Sequence, residues 1–104
     1  MRKGVVKVTD LTNFLKLSLQ RALLGRITGN IRCISASLNG EVICINFFYD
    51  GKISESDEEN ASEVETEVIA DFNEKFVINS CLKQLNYPNK VIKNDGFLAY
   101  LRKE

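Results

Sequence analysis

Asn30 to Gly51 reads NIRCISASLNGEVICINFFYDG. Two runs rich in β-branched and aromatic residues flank Asn39-Gly40, the preferred two-residue type I′ hairpin turn, whose twist matches that of the strands it joins. Counting outward from that turn pairs Leu38 with Glu41, Ala36 with Ile43, Ile34 with Ile45 and Arg32 with Phe47, a strongly apolar face. The other face pairs Ser37 with Val42, Ser35 with Cys44, Cys33 with Asn46 and Ile31 with Phe48. It is more polar, as expected of a sheet covered by helices on one side only. In this register Cys33 and Cys44 are diagonal neighbours, ill placed for a disulfide.

Upstream of the hairpin, TDLTNFLKLSLQRALLGRI reads as a helix that starts at Thr9 or Asp10, either of which can cap the free N–H groups of a first turn. Leu11, Phe14, Leu15, Leu19, Ala22 and Leu23 recur at three- and four-residue steps and form its buried stripe. Leu17 and Leu24 lie off the middle of that stripe, which implies a helix buried on two sides rather than a ridge for a partner. Gly25 and Gly29 are both stop signals, because glycine accepts the left-handed conformation that ends helices. Residues 1–8 read as a short strand or a basic arm.

Downstream, Ser54 and Ser56 are candidate N-caps, and Ser56 with Glu59 matches a capping box. Ala61, Val64, Val68 and Phe72, with Ile69 beside them, make the apolar stripe of a second helix. KFVINSCLKQLN then reads as a third strand and GFLAYLRKE as a fourth, separated by YPNKVIKNDG with its proline and Asn-Asp-Gly turn signals. The expected architecture is α+β, one domain over residues 1–104 in the order α-β-β-α-β-β, with a mainly antiparallel four-stranded sheet backed by two helices.

The 104 residues have 14 acids and 14 bases, but the balance hides an asymmetry. Asp50 to Glu74 holds ten of the acids and one base, Lys52. An exposed helix ordinarily mixes signs to gain pairs four residues apart, and this one repels itself. Such segregation points to partners rather than to fold. The acids off the apolar stripe, Glu55, Asp57, Glu58, Glu59 and Glu63, are the candidate contact residues.

Catalytic chemistry finds little support. There is no histidine, hence neither the commonest general base nor the commonest metal ligand. The acidic run lacks an EF-hand pattern, and consecutive helical acids point in different directions. LLGRITGN has two glycines but no phosphate-loop spacing. The three cysteines, Cys33, Cys44 and Cys81, are odd in number and have no CxxC spacing, which suits reduced core thiols. No catalytic residue, cofactor or metal site is expected. Hydrophobic residues at 44 % and charged residues at 27 % fit a soluble globular chain. No run is long and apolar enough for a membrane span, and MRKGVVKVTD lacks the apolar core of a secretory signal, so the expected compartment is the cytoplasm.

Arg2, Lys3, Lys7, Lys16, Arg21, Arg26 and Arg32 crowd the first third of the chain. They alternate with core positions and lack interleaved aromatics, so pairing some of them with the acidic helix inside the fold is more economical than direct nucleic-acid binding.

LSLQRALLGRI in the first helix and ETEVIADF in the second, joined through a two-strand segment ending FFYDG, together resemble small bacterial immunity proteins encoded beside polymorphic and contact-dependent growth inhibition toxins. The resemblance covers roughly residues 15–102 and is one of layout and phrasing. It implies a cytoplasmic protein without activity of its own that binds one cognate toxin domain, often a nuclease, and blocks it. The acidic helix agrees: nuclease sites are basic, and an anionic surface speeds encounter with them. The rival expectation is a homodimeric adaptor or structural module whose acidic helix meets a basic surface of a second copy.

Overall fold

In the computed structural model of the chain, which describes residues 8–91 and 96–104, the elements are α1 (Val8–Leu23), β1 (Ile31–Asn39), β2 (Val42–Tyr49), α2 (Glu55–Ala70), β3 (Val77–Gln84) and β4 (Phe97–Leu101). The expected order of elements holds. Of the N-terminal arm or strand, residues 1–7 lie outside the described residues and Val8 opens α1. The Asn94-Asp95 turn signal also lies outside them.

The hairpin forms, but its register is shifted. Asn39 pairs with Val42, Leu38 with Ile43, Ala36 with Ile45 and Ile34 with Phe47. The two-residue loop is therefore Gly40-Glu41 rather than Asn39-Gly40. Gly40 has φ +61° while no non-glycine described residue has positive φ, so only the first loop position is left-handed, the requirement of a type II′ turn. The shift sets Leu38 beside Ile43 instead of the charged Glu41. From Cys33 to Asn39 it moves every pair by two positions, not one, so each side chain there keeps its face.

A bulge follows between Ile31 and Cys33: Ile31 pairs with Tyr49 and Cys33 with Phe48, leaving Arg32 without a partner on β2. Arg32, expected opposite Phe47 on the apolar face, is excluded from the apolar cluster, and Ile31 enters it instead. Bulges re-aim side chains in this way.

The sheet runs β3-β2-β1-β4. It is mixed. β1 is antiparallel to both β2 and β4, but β3 is parallel to β2, from Val42 beside Val77 to Tyr49 beside Gln84. The expectation of a mainly antiparallel sheet thus holds for two of the three pairings and fails at β3, and β3 and β4 lie on opposite edges. The physical reason is the connection, since a helix of sixteen residues between β2 and β3 carries the chain back to the starting end of the sheet, as a parallel neighbour requires.

Both helices cover one face. Leu15, Leu19, Ala22 and Leu23 of α1 and Ala61, Val64 and Val68 of α2 pack on Ile31, Ile34, Ala36, Ile43, Ile45, Phe47 and Tyr49. The apolar stripes are those of the sequence. The exception is Phe14, placed in the buried stripe but 42 % exposed, and Leu17 and Leu24, off the stripe, are 62 % and 76 % exposed, so α1 is not buried on two sides. Gly25, at φ +75°, ends α1. Gly96 opens β4 at φ +102° with its α-carbon packed on the backbone of Ala36, where any side chain would collide.

Candidate functional site

The acids of α2 divide by what holds them. Ser54 is the N-cap: its Oγ accepts from the Asp57 N–H at 3.1 Å, and its own N–H donates to Asp57 Oδ2 at 3.0 Å. Asn30 Nδ2 donates to the same carboxylate oxygen at 3.1 Å. The capping box is thus Ser54–Asp57, not Ser56–Glu59, and Asp57 is only 8 % exposed. Of the five candidate contact residues, Asp57 is the one turned inward.

Three further acids are taken by α1 and the loop after it. Arg26 reaches Glu63 at 3.3 Å and Glu67 at 2.6 Å, and Asn60 Nδ2 donates to the Arg26 carbonyl at 2.8 Å. The contact with Glu67, ahead of that with Glu63, holds the Arg26 guanidinium above its ordinary pKa. Arg21 meets Asp71 at 2.9 Å, where Ser18 also donates at 2.7 Å. The expected pairing of first-helix bases with second-helix acids is present. Glu55, Glu58, Glu59 and Glu65 make no ion pair with any described cation. Glu55 and Glu58 sit in the first turn of α2, where the helix dipole favours negative charge.

Two concave surfaces border these free acids. On the α1 side, Glu59 and Glu63 line a shallow notch with Thr28, Ser56, Asp57 and Asn60. On the β3 side, Glu58 and Glu65 line a groove with Ala61, Ser62, Ser80 and Leu82. Glu65, Ser62 and Ser80 were not singled out from the sequence. Glu65 carried the signal, being acidic and off the stripe, but the neighbourhood of Ser80 depends on β3 lying parallel to β2.

A second charged cluster lies where β2 finishes, beside the cap of α2. Arg32, whose side chain is 2 % exposed, donates through Nε and Nη2 to the two carboxylate oxygens of Glu104 at 2.7 and 2.8 Å, and through Nη1 to the Leu85 carbonyl at 2.7 Å. Arg102 reaches Glu104 Oε2 at 3.0 Å and Asp50 Oδ2 at 3.1 Å, and the Tyr87 N–H donates to Asp50 Oδ1 at 3.1 Å. The Arg32 contact, opposed by desolvation, brings the Glu104 carboxyl down from 4.5 to about 2. The Tyr87 amide and then Arg102 lower Asp50. Every charge here has partners, which is the condition under which a buried arginine is tolerated.

Burial pushes the Tyr49 phenol up to about 12 and raises the Cys33 thiol, so both stay protonated at neutral pH. All three cysteines are free thiols. Among the described residues no group of three or more histidine, cysteine or acidic side chains gathers as metal ligands, and no described helix is long and apolar enough to cross a membrane.

Residues 12–104 match a family model, which takes in all but the first four residues of α1 and the whole of the sheet. The class is that of immunity proteins of bacterial polymorphic toxin systems. The chain belongs to the MafI2 immunity protein family. No curated protein matches it. A toxin is therefore its partner, and neutralising that toxin its role.

Proposed function

We propose that the protein neutralises a nuclease toxin in the cytoplasm by covering its active or substrate-binding surface, without catalysis of its own, and that the outer face of α2 guides the encounter. The observation that carries this reading is the set of acids no described cation compensates: Glu55, Glu58, Glu59 and Glu65. An anionic patch of this kind mimics a phosphate backbone and raises the association rate with a basic surface. Glu63 belongs to the same face, though shared with Arg26, whereas Asp57 supports the face by capping the helix.

Association kinetics with the cognate toxin domain test this. Changing Glu55 and Glu59 together to Lys is expected to slow association about tenfold or more at low salt and to flatten the salt dependence of the rate. Unchanged association, with full protection of toxin-producing cells, would show that the acids are only a solvated face.

The homodimeric alternative is favoured by one observation, the exposed Leu17 and Leu24, which with Phe14, Gln20 and Arg21 border an open apolar groove. Sedimentation of the free protein decides it: a dimer that a Leu17→Glu variant dissociates supports pairing through α1.

A further inference from the structure

The free acids of α2 do not all face one way. Glu58, Ser62 and Glu65 are spaced four and three residues apart, so they form one row along the helix. This row lies on the flank toward β3, away from the flank where Arg26 holds Glu63 and Glu67. Ala61 and Leu82 supply the apolar floor beneath it, and Ser80 the far wall. The Ser80 hydroxyl is buried and has no hydrogen-bond partner.

The far wall is also the edge of the sheet. β3 is the terminal strand in the order β3-β2-β1-β4, and over its eight residues no described strand pairs with its outer side. Its sequence, VINSCLKQ, contains no proline and a single charge, Lys83. Natural edges are commonly protected by such residues, by bulges or by a covering element, and this one has little protection.

We propose that the groove receives an extended, lysine- or arginine-bearing segment of the toxin, which pairs with the outer edge of β3 as a fifth strand and directs its basic side chains to Glu58 and Glu65. The inference rests on the toxin-binding reading above and names where the toxin docks, as distinct from what guides its approach.

The dimensions agree. Seven helical residues at about 1.5 Å each set Glu58 and Glu65 roughly 10 Å apart along the axis. Same-face residues of an added strand recur every ~6.7 Å, so two long basic side chains on that face span the interval with their flexible stems. Those stems lie along Ala61 and Leu82 while the charged heads reach the carboxylates. Backbone pairing supplies affinity and the carboxylate row supplies selectivity, the usual division in strand addition. A second copy of this chain is a poor occupant. Edge-to-edge pairing of two β3 strands would crowd Glu58 and Glu65 of one copy against the same acids of the other.

The test uses the full chain and the catalytically inactivated cognate toxin domain. Glu58→Gln with Glu65→Gln is expected to raise the dissociation rate about tenfold or more, since each change unpairs a basic group in the contact. Glu55→Gln with Glu59→Gln should leave dissociation within about twofold while slowing association. Ser80→Ala removes an unsatisfied hydroxyl, so the free protein should melt no lower, yet the complex should dissociate several times faster. Hydrogen exchange should show new protection of β3 amides on binding. A tight wild-type complex with unchanged dissociation in the groove variants and no protection of β3 overturns the groove and leaves toxin binding intact. Absence of any wild-type complex overturns the underlying reading and the groove with it.

Discussion

The cluster around Arg32 and the outer face of α2 hold carboxylates in opposite circumstances. Glu104 and Asp50 each touch arginine, are brought below their ordinary pKa, and fix strand ends that are distant in sequence. Glu55, Glu58, Glu59 and Glu65 touch no described cation, lie on one short helix, and repel one another. Compensated charge holds this architecture together. Uncompensated charge raises the energy of the free protein slightly and becomes favourable only when an opposite surface arrives.

The largest effect that would break this contrast is at Arg32. Arg32→Leu leaves Glu104 without its bidentate partner and the Leu85 carbonyl without a donor, and should cost about 3 kcal/mol in denaturant unfolding. Toxin affinity of the folded protein should not change. A loss no larger than that of an exposed ion pair would mean the cluster does not hold the strand ends.

Acid is the next probe. The folded-state pKa of Glu104, about 2, lies below its ordinary 4.5, and that of Asp50 is lowered as well. Carboxylates held down in this way contribute stability that is fully present above the unfolded-state pKa and lost as pH falls through the folded one. Thermal melts should therefore be level from neutral pH down to about 5 and fall between there and about 2. Glu104→Gln should lower the plateau and make the fall shallower.

Arg26 gives the smallest change in stability and the sharpest comparison, because among the described cations it joins the two regimes by neutralising part of α2. Arg26→Ala should lower the melting temperature only slightly, as exposed pairs are weak. It also frees Glu63 and Glu67, so toxin association should become faster and more sensitive to salt. Slower association would place Arg26 itself in the contact.

The parts legible from sequence were those that local physics decides. The alternation in β1 and β2 set the faces, and the stripes of Leu15, Leu19 and Ala22 and of Ala61, Val64 and Val68 set the helix contacts. Register was not legible, because Asn39-Gly40 and Gly40-Glu41 both serve as two-residue turns and the choice depends on whether Leu38 meets Glu41 or Ile43. The direction of β3 escaped for another reason. The half-burial of Ile78, Ser80 and Leu82 against the exposure of Val77, Asn79, Cys81 and Lys83 fits a half-covered edge strand of either direction. The length of α2 was the overlooked signal for a parallel return. For the candidate face, a count of acids identified the helix. Only the cap at Ser54 and the reach of Arg26 sort those acids into structural and free.

β1 acquires its two neighbours by unequal routes. β2 returns through a two-residue loop, whereas β4 arrives after α2 and β3 have been laid down, and Arg32 finds Glu104 across 72 positions. Closing the short loop costs far less chain entropy, so the hairpin is the natural nucleus and β4 docks late. Until it does, Arg32 has neither of its Glu104 contacts, and any intermediate that buries the strand beforehand strands a cation in the interior. Such intermediates are disfavoured by the same residue that later latches the sheet, which makes Arg32 a source of folding cooperativity.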